Sequence, residues 1–118
     1  MKYFWLSLLM IIAAFSAKAS FVEGLEDIPL PSKLTQMENA NLNFGNEEIR
    51  FVETYFESKE LSFVDVGIFY KETMPQLGWT LKKTSPSHLF FEREGETLEI
   101  NRESDMPLII RLTVKSKN

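Results

Sequence analysis

Residues 61–78 carry one strong helix signal, and every apolar run after them has the period of a strand. Ser62 is a good N-cap, and Asp65, three positions on, sets a carboxylate beside the orphan amides and the positive end of the dipole. Leu61 and Val66 have the spacing of a hydrophobic staple. At about 100° per residue, Phe63, Val66, Gly67, Tyr70, Met74 and Leu77 fall on one face. Gly67 on that face lets the helix lie close to whatever it covers. Pro75 cannot continue a regular helix, so the helix is expected to end near Met74, with a looser turn through Leu77 and a left-handed stop at Gly78.

Strands are then expected over Trp79–Lys83, His88–Arg93, Thr97–Arg102 and Leu108–Val114. Ser85-Pro86-Ser87, the tight Glu94-Gly95 hairpin and Ser104–Pro107 separate them. Leu108, Ile110, Leu112 and Val114 alternate with Ile109, Arg111, Thr113 and Lys115, the pattern of a strand with one buried face. Upstream, Glu48–Glu57 also reads as a strand. It presents Ile49, Phe51, Glu53 and Tyr55 on one side and Arg50, Val52, Thr54 and Phe56 on the other. Apolar groups on both sides predict a central or doubly covered position. The expected fold is α+β: one helix on a mostly antiparallel sheet of about five strands, in the order strand–helix–strand–strand–strand–strand.

Three segments organise the chain. Lys2, the apolar run Tyr3–Phe15 and Ala17-Lys18-Ala19 form the pattern of a secretory signal over residues 1–19, with cleavage expected between Ala19 and Ser20. Lys18 stops the run short of the roughly 20 apolar residues a spanning helix needs. Removing 1–19 removes Lys2 and Lys18 and no acid. That leaves 11 basic against 17 acidic side chains, a formal net charge of −6 where the whole chain has −4. Residues 20–47 read as an N-terminal arm: Pro29 and Pro31 forbid helix, Asn39, Asn41 and Asn43 favour turns, and a short strand is expected at Leu42–Phe44 before a turn at Gly45-Asn46. Residues 48–118 form the single domain on which the arm docks. The expected location is the periplasm or the exterior, with no stable membrane insertion after cleavage.

Composition narrows the chemistry. The chain has no cysteine and one histidine, which excludes disulfides, thiolate metal sites and a cysteine nucleophile and makes a zinc site improbable. A sequence pI of about 5.0 argues against nucleic acid as a partner. No phosphate-binding glycine loop or G-x-S-x-G elbow occurs. No metal or cofactor is expected. The glutamates around the Glu94-Gly95 hairpin read as a solvated turn.

The strand pattern singles out one surface. If Phe91 faces the helix, then His88, Phe90 and Glu92 face away, and so do Ile109 and Arg111. An apolar face left open is a recognition surface. The alternative is that the arm, with Leu30, Leu34 and Leu42, covers it. Glu53 lies between Phe51 and Tyr55, where it would be desolvated and suited to acid–base work.

Asp27-Ile28-Pro29-Leu30-Pro31, Arg50-Phe51-Val52-Glu53, Phe69-Tyr70, Met74-Pro75-Gln76-Leu77-Gly78-Trp79 and Phe91-Glu92-Arg93-Glu94-Gly95-Glu96 occur in that order. Together they resemble a family of small exported alphaproteobacterial proteins of unknown function, over about residues 27–114. Ile49 stands where that pattern has a glycine. The resemblance implies export and a compact domain, and nothing catalytic.

Three functional readings follow. The leading one is a non-enzymatic envelope module that binds another envelope protein or a small ligand through Glu53, His88, Phe90, Ile109 and Arg111, with Arg50 nearby. The second is a carboxylate-based enzyme with Glu53 and Arg50 at its site. The third is a membrane-anchored assembly factor that retains its N-terminal helix.

Overall fold

The computed structural model describes residues 20–38, 42–45 and 50–116. The expected signal segment, the Asn39 and Asn41 turns and the Asn46 turn lie outside them. Among these residues nine strands are present in two sheets, where about five in one were expected. The excess comes from the arm. It holds β1 (Ser20–Val22), β2 (Leu25–Leu30), β3 (Thr35–Gln36) and β4 (Leu42–Gly45). Then follow β5 (Arg50–Ser58), α1 (Phe63–Thr73), a 3-10 turn (Met74–Leu77), β6 (Thr80–Ser85), β7 (His88–Arg93), β8 (Glu96–Asp105) and β9 (Leu108–Ser116). The element order therefore opens with five strands before the helix. Among the described residues no helix is long and apolar enough to cross a membrane.

β1 and β2 form their own hairpin. Pro29 is tolerated in β2 because the strand pairs on one side only. The large sheet runs β3-β5-β9-β8-β7-β6, with β4 also on β5. β5 is thus internal, as its two-sided apolar pattern predicted. It pairs with β9 along nearly its whole length, Phe51↔Lys115 through Ser58↔Leu108. Three strands separate β5 from β6, so α1, which joins them, crosses the sheet face. The free β6 edge is protected by a bulge between Leu81 and Lys83 and by exposed Lys82 and Lys83.

Local chemistry sets the helix ends. The Ser62 hydroxyl accepts from the Asp65 amide at 3.2 Å, and the Asp65 carboxylate accepts from the Ser62 amide at 2.9 Å, a complete capping box. The Ser62 amide, together with the Ser62 hydroxyl that donates to the same carboxylate oxygen at 3.0 Å, holds the Asp65 carboxyl below its ordinary value. Gly78, at φ +90°, closes the 3-10 turn, and the Trp79 amide donates to the Met74 carbonyl. The tighter 3-10 turn changes the phase of the side chains. Met74 is buried as expected, whereas Leu77, expected on the same face, is exposed.

The core lies between α1 and one sheet face. Val66, Tyr70 and Met74 meet Leu89, Phe91, Leu98, Ile100, Ile110 and Leu112, all essentially inaccessible. Burying each large apolar side chain contributes roughly 1.5–3 kcal/mol relative to exposure. A Cβ added at Gly67 would lie 4.0 Å from Leu89, so the helix sits close to β7 there. Val22, Leu25, Ile28 and Leu34 of the arm join this same core, and the Tyr70 hydroxyl donates to the Pro29 carbonyl at 2.8 Å. The arm therefore docks on the helix side and does not cover the second face with Leu30 and Leu34. Leu42 lies beside that face, paired with Glu53, and is half exposed.

Candidate functional site

Two residues per pleat repeat sort the candidate residues. Side chains at 52, 54 and 56 on β5, 110, 112 and 114 on β9, 98 and 100 on β8, and 89 and 91 on β7 are buried under α1. Those between them form the second face. Register aligns Glu53, Thr113, Glu99 and Phe90 in one row and Tyr55, Arg111, Asn101 and His88 in the next. With strands about 4.8 Å apart, each row spans about 14 Å. Ile109 begins a third row, opposite Glu57. Glu53, His88, Phe90, Ile109 and Arg111 thus share one face, and each is half-buried. Among the described residues no element packs over them.

The polar groups on this face are partly paired. His88 Nε2 lies 3.1 Å from Glu99 Oε2, and the His88 and Phe90 rings lie 6.3 Å apart, inclined by 21°. Arg111 Nε lies 3.3 Å from Glu103 Oε1, which the β8 bulge between Arg102 and Ser104 turns toward it. Thr113 and Thr97, on the same face, are buried. The Thr97 hydroxyl has no hydrogen-bond partner among the described residues.

Arg50 is not part of this face. It is an odd number of residues from Glu53, and the pleat places it on the helix side, 2.8 Å from Glu96 Oε2. There it joins a junction that the sequence did not reveal. Arg93 lies with Cζ 4.3 Å from the Trp79 ring centre. Its Nη2 meets Asp27 at 2.6 Å and Glu96 at 3.3 Å, and its Nη1 donates to the Leu77 carbonyl at 3.2 Å. Partial burial works against the charged guanidinium, but the bonds and charges of Asp27 and Glu96 outweigh it and raise its pKa. One side chain so ties arm, helix end and β7–β8 hairpin together. The hairpin turn predicts that Arg93 faces Glu96; nothing in the sequence predicts Asp27.

Two shallow depressions of the described surface meet at Ser58 and Lys59, away from His88 and Phe90. Among the described residues no group of three or more histidine or carboxylate side chains could hold a metal ion. No protein-family model, curated protein or solved structure matches the chain.

Proposed function

We propose that the protein is exported, processed between Ala19 and Ser20, and acts as a non-enzymatic module that binds another envelope protein through the second face of its sheet. The observation carrying this reading is that Phe90, Ile109 and Arg111 stand half exposed on a sheet face over which no described element packs, because the arm docks on the helix side. Small-molecule sites are concave. The two depressions described above lie at Ser58 and Lys59, away from His88 and Phe90, which suits a macromolecular partner on this face. The separation of Arg50 and Glu53 onto opposite faces leaves the carboxylate-enzyme reading without a shared site. The resemblance to small exported proteins points the same way.

In-cell crosslinking of the tagged protein, followed by mass spectrometry, tests this. A reproducible envelope partner is expected, lost when Phe90→Ala and Arg111→Ala are combined. Associations untouched by that double change would remove the face from consideration. The same spectra read the N-terminus: Ser20 as first residue is expected, and an intact leader would favour the anchored reading instead.

A further inference from the structure

We infer that leader removal and docking of the N-terminal hairpin exclude each other: the Ala19–Ser20 bond is cut before β1 docks, and a chain that folds first keeps its leader. The inference rests on the export reading above and adds an order of events to it. The four residues that follow the scissile bond are all engaged in the folded chain. Ser20 pairs with Leu30 and Phe21 with Pro29 in the β1–β2 hairpin. Val22 is 1 % exposed, in the core with Leu25 and Ile28. The Glu23 amide donates to Gln36 Oε1 at 2.9 Å, and the Glu23 carbonyl accepts from Gln36 Nε2 at 3.3 Å. Gln36 Nε2 also donates to Thr54 Oγ1 at 2.9 Å, which ties the end of β1 to β5.

A peptidase takes the chain in extended form on both sides of the bond it cuts, and a signal peptidase reads small residues just before that bond, here Ala17 and Ala19. No spacer separates the bond from the fold, because β1 starts at Ser20 itself. Cutting a folded precursor therefore requires β1 to leave its ladder and Val22 to leave the core. The rate of such a cut follows the population of the opened form. β1 pairs with β2 alone, and a two-stranded hairpin is at best marginally stable once it is off the core. What holds the hairpin down thus shields the bond: the Gln36 clamp on Glu23, the Tyr70 hydroxyl on the Pro29 carbonyl at 2.8 Å, and Arg93 on Asp27 at 2.6 Å.

The test uses the full-length precursor in detergent and a purified signal peptidase, with mass spectrometry timing the appearance of a chain that begins at Ser20. Ile110→Asp sets a charge at a fully buried core position and supplies an unfolded full-length reference, checked by circular dichroism. The folded wild-type precursor is expected to be cut at least about tenfold more slowly than that reference. Combining Gln36→Ala with Tyr70→Phe removes bonds that hold the hairpin and should speed the cut of the folded precursor roughly tenfold. Ser62→Ala removes the cap of α1, away from the hairpin, and should change it less than about twofold. A folded precursor cut as fast as the reference, no gain from the hairpin variant, or an equal gain from Ser62→Ala would overturn the inference and leave the export reading standing. An unfolded reference that is not cut between Ala19 and Ser20 would overturn the export reading, and the inference with it.

Discussion

Replacing Tyr70 by phenylalanine removes one oxygen from the seam between α1 and the N-terminal hairpin. Tyr70 is fully buried, and its hydroxyl donates to the Pro29 carbonyl at 2.8 Å. Phenylalanine keeps the ring, so the packing loss is small. The lost bond is worth about 0.5–1.5 kcal/mol net, and leaving the buried Pro29 carbonyl unpaired raises the cost toward about 2 kcal/mol. Urea unfolding reads this directly, because without residues 1–19 Trp79 is the sole tryptophan and it packs in the same core. A denaturant slope of about 1–2 kcal/mol/M turns the loss into a midpoint about 1–2 M lower.

The same hydroxyl makes the difference depend on pH. Burial pushes the Tyr70 phenol well above its ordinary value. The folded chain then keeps a proton that the unfolded chain releases above about pH 10. Its contribution is complete below that pH and falls by about 1.4 kcal/mol per pH unit above it, until the raised folded value is reached. The gap between wild type and Tyr70→Phe should therefore shrink by about 1.4 kcal/mol by about pH 11. Equal stabilities at neutral pH, or a gap unchanged at high pH, would refute a buried hydroxyl bonded to the arm.

Three further outcomes are expected. Gly78→Ala should destabilise by about 1–2 kcal/mol in thermal or urea unfolding, because φ is +90° and the new Cβ would lie 3.4 Å from the Arg93 side chain. Asp65→Asn should destabilise at neutral pH and converge on wild type in acid. The Asp65 carboxyl is held below its ordinary value, so its contribution is present above that value and lost as pH falls through the depressed one; parallel acid melts check this. Changing Lys82 and Lys83 together to valine should make the free β6 edge sticky, seen as association in size-exclusion chromatography with light scattering.

The helix was legible because its signals are local: a capping box, a proline and a glycine within seventeen residues, Ser62 to Gly78. The β6–β9 strands were legible for the same reason, each being bounded by turn residues. Leu77 was misplaced because a 3.6-residue period was carried into a 3-10 turn. β5 was ambiguous for a tertiary reason. Its inward side holds Thr54 and Ser58, whose hydroxyls accept from the Gln36 side chain and from the amides of Glu60 and Leu61. Its outward side holds Phe51 and Tyr55, which an alternation rule would bury. The arm was the largest miss. Its strands are short, Pro29 disguises β2, and its partners Tyr70 and Arg93 lie 41 and 66 residues away. The five residues Glu53, His88, Phe90, Ile109 and Arg111 came together on one sheet face because strand parity alone places them. Arg50 fell away by that same parity.

Site-specific photocrosslinking in living cells asks most directly whether the second sheet face meets a partner. A benzophenone side chain would be placed in turn at Phe90, at Ile109 and, on the exposed side of α1, at Val64. The account predicts adducts to another protein from Phe90 and Ile109 and none from Val64. Adducts from Phe90 or Ile109 to residues 20–47 of the same chain, or partner adducts from Val64 alone, would contradict it.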